Sequence, residues 1–179
     1  MLRKSIISIL LLTIYLGSCL IIYQDEKDTN KKIIKTTNIE KNINTANYNQ
    51  KSDNEIIGTL TIDKINLKKD IYNINSPHNN VDENVTILND DANLIVLAAH
   101  SGPGYIAFFN NLDKLELNDT VNLNYKGKDL AYKVTTIEEQ VKDGTIEIDK
   151  TNTERLILTT CSKKDKNKQL VLIAKKIDV

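Results

Sequence analysis

The sequence predicts a mainly β domain, folded as a closed or nearly closed barrel and tethered to a membrane by one N-terminal helix. Three observations support this architecture. An apolar segment near the N-terminus of the 179-residue chain is long enough to cross a bilayer. A polar stretch without glycine or proline follows it. The remainder consists of short β-like runs with a single helical pattern.

The apolar segment comprises residues 5–23, and Arg3 and Lys4 precede it. Nineteen residues of α-helix span roughly 28 Å, close to the thickness of a bilayer core. Acidic residues follow the segment, so the positive-inside rule places residues 1–4 in the cytoplasm and the rest of the chain outside. We therefore expect a single-pass transmembrane signal anchor in the cell membrane, carrying an extracytoplasmic domain.

Residues 16–19 of the anchor, Leu-Gly-Ser-Cys, resemble a lipoprotein processing site. The apolar run continues through residues 20–22, whereas a lipidated protein normally turns polar after its cysteine. An uncleaved anchor is the favoured interpretation, and lipidation of Cys19 is the alternative. Both keep Cys19 in lipid and leave Cys161, the second of the two cysteines, as an unpaired thiol outside the cytoplasm.

Residues 24–55 are polar and are predicted to form a solvated stalk. As a flexible coil this stalk would reach on the order of 30 Å, which lifts a folded domain clear of the lipid head groups. The whole chain carries 24 basic and 24 acidic residues, so its formal net charge is zero. This balance argues against binding of nucleic acid or another polyanion.

Residues 56–179 carry the strand patterns of the folded domain. Some runs alternate apolar and polar residues, as half-buried strands do. One run is apolar throughout, which is typical of a strand buried on both faces. A turn around Lys126-Gly127 between two alternating runs indicates a hairpin. The one helical pattern covers residues 106–115. Its shared face comprises Phe108, Leu112 and Leu115. The predicted strands are 57–62, 94–99, 121–125, 130–134, 156–160 and 170–174.

Two side chains at predicted strand ends have the chemistry of a catalytic pair. His100 follows one buried strand and Cys161 ends another. A thiol is a weak nucleophile until it is deprotonated, and an imidazole can assist that step and later protonate an amine leaving group. The alternative is a structural histidine and an inert core cysteine. His78 lies in a turn-rich polar loop and is interpreted as an exposed bystander.

Several segments, taken in order along the chain, resemble sortases. The central segment of that family is similar to Ala99-His100 with the downstream Phe-Asn-Asn-Leu-Asp-Lys-Leu of residues 109–115. Further resemblance lies in the first strand, in the Leu-Thr-Thr-Cys that ends at Cys161, and in the Leu-Val-Leu-Ile-Ala of residues 170–174. The resemblance covers residues 56–176.

The resemblance implies an eight-stranded barrel with one or two short helices, and a membrane cysteine transpeptidase of Gram-positive bacteria. Such enzymes cut a Leu-Pro-x-Thr-Gly-type sorting motif near the C-terminus of a surface protein or pilin. By this resemblance Cys161 forms a thioester with the threonine carbonyl, and His100 is the general acid/base. An amine of a cell-wall precursor or of a pilin lysine then resolves the thioester. No cofactor is expected for this chemistry.

The chain departs from the family pattern at three positions. Asp63 replaces a proline of the first strand motif and Ala99 replaces the glycine before the histidine, and neither change touches the chemistry. Gln169 stands where the family carries an arginine thought to hold the substrate or stabilise the oxyanion. We expect Gln169 to act as a neutral catalytic donor, helped by Lys166 or Lys168 of the preceding loop.

The family threonine before the cysteine is present as Thr160, and substrate binding and strand packing are its two interpretations. The long connection of residues 135–152 corresponds to a segment that contributes to the substrate pocket in sortases. By this resemblance, we expect the substrate pocket beside that connection. Calcium is a further possible ligand, because some sortases bind it between loops equivalent to those that carry acids here, although solvated acids are the favoured interpretation. These acids are Asp82, Glu83, Asp90, Asp91, Glu138 and Glu139.

Two alternatives to an active transpeptidase remain. The first is a degenerate sortase that binds sorting peptides without efficient turnover, suggested by Gln169. The second is a membrane-tethered β-module without peptide chemistry, in which Cys161 is a core thiol. Thiol reactivity and turnover of sorting peptides distinguish these hypotheses from the leading one.

Overall fold

The structure, a computed structural model, describes residues 31–35, 55–91 and 93–178, and within these ranges it contains ten β-strands and two short 3₁₀ helices. The strands are β1 Lys31–Lys35, β2 Ile56–Ile62, β3 Leu67–Tyr72, β4 Thr86–Asp91, β5 Leu94–Ala98, β6 Thr120–Tyr125, β7 Lys128–Val141, β8 Thr145–Asp149, β9 Arg155–Cys161 and β10 Lys168–Ile177. The 3₁₀ helices are Asp63–Ile65 and Leu112–Lys114.

Eight of these strands form one sheet in the order β3-β2-β6-β7-β10-β9-β5-β4. The edge strands β3 and β4 contact each other, so the sheet is a nearly closed barrel and the predicted mainly β, eight-stranded fold is confirmed. Neighbouring strands are antiparallel except β5 and β9, which run parallel. Strands β1 and β8 pair in a separate two-stranded sheet.

The barrel interior is filled by aliphatic side chains from alternate strand positions, as the period-two pattern predicts. Strand β9 is buried on both faces, since Leu156 and Leu158 belong to the core cluster and Ile157 between them is buried as well. Strand β5 is buried in the same way over Leu94–Leu97, as its continuous apolar run predicts. These two strands are therefore buried on both faces over most of their length.

The segment with the helical pattern, residues 106–115, is found as a series of turns with one 3₁₀ helix at Leu112–Lys114. Most of its backbone bonds reach three residues back instead of four, and the Phe109 N–H leaves the segment to donate to the His100 carbonyl at 3.0 Å. The buried positions are therefore Phe109, Leu112 and Leu115, at a three-residue spacing, while Phe108 is partly buried.

The region predicted as a long connection, residues 135–152, is largely strand. Strand β7 extends to Val141 because its residues 128–133 pair with β6 and its residues 131–141 pair with β10. Strand β8 follows at Thr145–Asp149. What remains between them is a short turn of residues 142–144, which contains Gly144 at a φ of 86°.

The predicted anchor, residues 5–23, and its flank, residues 1–4, lie outside the described residues. Within the described ranges no helix is both long and apolar enough to cross a membrane. Of the predicted stalk, residues 24–55, the structure describes residue 55 and the strand β1, which the sequence did not predict.

A close approach between the backbones of β2 and β6 gives a stability prediction. A Cβ added at Gly58 of β2 would lie 2.3 Å from the carbonyl oxygen of Asn124 on β6. We expect Gly58→Ala to reduce the free energy of unfolding by about 1–3 kcal/mol, because the paired backbones would have to separate. Denaturant unfolding measures this change. Thr59→Ala removes an exposed 3.2 Å bond to Asp70 and should cost less than about 1 kcal/mol. Equal stability of the two variants would contradict the prediction.

Candidate active site

The parallel pairing of β5 with β9 brings the two predicted catalytic residues to one edge of the barrel. Leu97 is opposite Leu158 and Ala98 is opposite Thr159. His100 and Cys161 each follow the last of these pairs by two residues, so both lie where the two strands end. The carboxyl ends of parallel strands meet at the same edge, which is why one histidine and one cysteine far apart in sequence come to the same edge of the barrel.

Two hydrogen bonds tie the strand ends together. The buried hydroxyl of Thr160 donates to the Ala99 carbonyl at 2.7 Å, and the Ser101 hydroxyl donates to the Cys161 carbonyl at 2.6 Å. Each bond joins a residue beside His100 to one at or beside Cys161. The hydroxyl of Thr160 therefore links the strands, while Thr160 also lines the groove described below. A substrate-binding role for Thr160 stays a prediction.

His100 has a carboxylate partner. Its Nε2 lies 2.9 Å from Asp82 Oδ1, in the loop between β3 and β4. An ionised carboxylate only accepts hydrogen bonds, so Nε2 carries the proton in this contact and Nδ1 is left to exchange a proton with another group. The imidazole is 37% exposed and the Asp82 side chain is 74% exposed, so water screens the pair.

Cys161 has a cationic partner that the sequence did not predict. The Lys142 ammonium lies 3.1 Å from the Cys161 sulfur. Lys142 comes directly after β7, 19 residues before Cys161, in the short turn that leads to β8. No spacing or composition signal marks it, because the contact depends on where β7 ends relative to β9 across the intervening strand β10. A positive charge beside a cysteine favours its thiolate, the reactive form.

A groove of about 360 Å³ opens beside Cys161. Its volume lies within the range of small-ligand pockets, and both apolar and polar side chains form its walls. Two contacts fix the walls: Lys163 Nζ lies 3.0 Å from Asp113 Oδ1, and the Ser162 hydroxyl donates to Glu139 at 2.6 Å. The groove is lined by Ser101, Phe109, Asn110, Asp113, Ile137, Glu138, Glu139, Thr160, Cys161, Ser162, Lys163, Lys164 and Leu170.

Gln169 lies opposite Cys161 in the β9–β10 pairing, but its side chain is 6% exposed and does not line the groove. Its Nε2 donates to the carbonyl of Val141 at 3.3 Å and to the carbonyl of Thr145. Both amide hydrogens are therefore directed to the backbone around the β7–β8 turn. The catalytic role expected of Gln169 stays a prediction.

A family model, the sortase domain, matches residues 60–177. The chain belongs to the sortase family. The resemblance seen in its sequence is thereby confirmed, and sortases are cysteine transpeptidases. No curated protein matches the sequence.

Solved sortase structures resemble this one. Sortase C1 of GBS pilus island 1 is 25% identical with a TM-score of 0.58, and the match covers 70% of this chain and 66% of that one, just under two thirds of its length. Sortase C from Clostridium perfringens SM101 is also 25% identical, with a TM-score of 0.56 and coverages of 71% and 72%. Sortase A from Corynebacterium diphtheriae, at 19% identity, a TM-score of 0.59 and coverages of 73% and 64%, is similar in fold.

The acids considered for calcium have other neighbours in this sortase. Asp82 contacts His100, Glu83 lies 3.5 Å from His78, and Asp90 lies 2.6 Å from Lys126. Glu138 accepts from Gln140 and Glu139 from Ser162. Within residues 55–91 and 93–178, no group of three or more His, Cys, Asp or Glu side chains is placed to hold a metal ion. Calcium binding stays an untested possibility.

The half-buried position of Cys161 in an open groove predicts a reactive thiol. In a Cys19→Ala background, we expect a methanethiosulfonate reagent to modify the folded sortase at one equivalent, because the sulfur is open to the groove and lies beside a cation. Mass spectrometry measures the adduct, and Cys161→Ser in the same background is the control. Labelling that requires denaturant would show an inert core thiol instead.

Proposed function

We propose that this sortase is a membrane-anchored cysteine transpeptidase that cleaves a C-terminal sorting motif of the Leu-Pro-x-Thr-Gly type. One observation carries the proposal: Cys161 ends β9 in a groove, at the same barrel edge as His100. The anchor of residues 5–23 holds the catalytic domain on the outer face of the cell membrane. The sortase C1 of GBS pilus island 1, among the similar structures, supports pilins as one substrate class beside other surface proteins.

In the first half of the reaction the Cys161 thiolate, whose proton His100 holds on Nδ1, attacks the threonine carbonyl of the sorting motif. A C–S bond forms, the carbonyl π-electrons move to oxygen, and a tetrahedral oxyanion results. The oxyanion collapses as the C–N bond to glycine breaks. His100 protonates the departing amine, which leaves a thioester on Cys161.

In the second half, an amine of a cell-wall precursor or of a pilin lysine attacks the thioester. His100 accepts the proton of the incoming amine, a new amide bond forms, and the thiolate is released. The Asp82 carboxylate holds the imidazole by Nε2 throughout, so the proton moves through Nδ1. The enzyme ends in the state in which it began, and no cofactor takes part.

The proposal predicts turnover of a panel of fluorescent sorting-motif peptides in the presence of an amine. We expect a transpeptidation product from the native protein, none from Cys161→Ala, and a rate lower by about 10²–10⁴-fold for His100→Ala, because proton transfer contributes that much. Chromatography and mass spectrometry identify product and thioester.

Absence of both thioester and product across the whole panel would contradict the proposed function. Peptide binding without turnover would instead favour the degenerate sortase. A specific observation motivates that second candidate: the Gln169 amide is engaged with backbone carbonyls around the β7–β8 turn.

Asp82 is predicted to have a much smaller effect than His100. A solvent-exposed ion pair contributes at most about 1 kcal/mol, so Asp82→Ala should lower kcat/KM by no more than about fivefold. The neighbouring Glu83→Ala removes a contact with His78 and leaves the His100 contact intact, so its rate should match the native one. A loss for Asp82→Ala as large as that for His100→Ala would show that the carboxylate does more than orient the ring.

A further inference from the structure

The proposed reaction places negative charge at two neighbouring positions, the sulfur of Cys161 and the oxygen of the tetrahedral intermediate. Both charges require a cation or hydrogen-bond donors that are already in place, because preorganised donors lower the barrier without reorganisation cost. The buried amide of Gln169 is neutral, and its Nε2 donates to the backbone carbonyls of Val141 and Thr145. Its side chain therefore does not supply the positive charge.

We propose that Lys142 is the cation of this active site, and that its ammonium stabilises both the Cys161 thiolate and the oxyanion formed during acyl transfer. The role of Lys142 at the oxyanion rests on the proposed function. The pairing of Lys142 with the Cys161 thiol rests on the structure alone. The carrying observation is the 3.1 Å separation of Lys142 Nζ from Cys161 Sγ. At this distance the ammonium also reaches an oxygen bonded to the carbon that the sulfur attacks.

The ammonium of Lys142 is available for this role. Within the described part of the chain, Lys142 makes no ion pair with a carboxylate. Its neighbour Asp143 accepts instead from Thr145, through the hydroxyl at 2.6 Å and the N–H at 2.9 Å. These bonds hold the pKa of Asp143 below its ordinary value, so that carboxylate stays ionised and bound to its own turn.

The backbone holds Lys142 in place through β10. The Lys142 N–H donates to the Asn167 carbonyl at 2.8 Å, which continues the β7–β10 ladder by one residue past its last pair, Val141 with Lys168. On the other side of the turn, the Gln169 amide bonds the Val141 and Thr145 carbonyls, just before and just after the turn. Gln169 is in turn opposite Cys161. The amide is therefore a positioning group that sets the Lys142 turn relative to the sulfur.

Charge-selective labelling tests the pairing without any peptide substrate. In a Cys19→Ala background, the native protein should favour an anionic methanethiosulfonate over a cationic one at Cys161. Lys142→Met should shift the ratio of the two rates by about fivefold towards the cationic reagent, because one unit charge near the sulfur is lost. Lys142→Arg should keep the native ratio. Lys133→Met, which removes an exposed lysine from the middle of β7, is the matched control and should leave the ratio unchanged.

Turnover of sorting peptides tests the oxyanion. Lys142→Met should lower kcat by about 10²-fold with little change in KM, since the lost interaction forms mainly in the transition state. Lys142→Arg should recover most of the rate, and Lys133→Met should match the native enzyme. Gln169→Leu, which keeps the size of the side chain but removes its amide, should shift the labelling ratio in the same direction as Lys142→Met.

The outcomes separate the two proposals. An unchanged labelling ratio and an unchanged kcat in Lys142→Met would overturn the inference. If the native protein processes no peptide but Lys142→Met still shifts the labelling ratio, the pairing with Cys161 stands and the proposed function fails. If peptides are processed and Lys142→Met changes neither readout, the function stands and the role of Lys142 is wrong.

Discussion

The active site depends on the parallel pairing of β5 with β9. Every other neighbouring pair in the eight-stranded sheet is antiparallel, and an antiparallel pair would place the two carboxyl ends at opposite edges. The pair is secured at both ends. Near its start the Arg155 N–H donates to the Asn93 carbonyl at 3.0 Å, and at its end the Thr160 hydroxyl bonds Ala99. Burial on both faces between these points opposes a slip of register, because a slip by one residue would move every side chain to the other face and change its packing.

The parts of the fold that the sequence could predict are those that a local apolar pattern determines. Apolar alternation and continuous apolar runs depend on the local pattern, so β2, β5, β6 and β9 were predicted close to their observed bounds, while β10 was predicted at half its length. The segment of residues 106–115 was misjudged because its apolar spacing fits both a helix of 3.6 residues per turn and a series of three-residue turns. The bond from the Phe109 N–H to the His100 carbonyl decides between them, and this contact is not visible in the sequence.

The residues of the candidate site likewise divide into those that the sequence could predict and those that it could not. His100 and Cys161 could be predicted, because each follows a buried strand and their chemistry is complementary. Lys142 could not, because many lysines in the chain have an equally polar setting, and its contact with the sulfur arises only where β7 ends. Asp82 was noted among several acids, yet nothing local distinguishes the one that reaches His100. Sequence patterns thus located the strand ends, and the loops between strands determined which charges meet them.

The burial of Gln169 explains why the positive charge sits on a turn. At 6% exposure, a charged side chain at this position would lose most of its hydration and would need a carboxylate partner to offset that loss. A neutral amide needs only acceptors, and the Val141 and Thr145 carbonyls provide one for each of its hydrogens. Lys142, by contrast, is exposed, so its ammonium keeps much of its hydration while it contacts the sulfur. The buried neutral amide of Gln169 fixes the turn, and the exposed ammonium of Lys142 lies on that turn. Together they meet the reaction's requirement for positive charge without burying an ion.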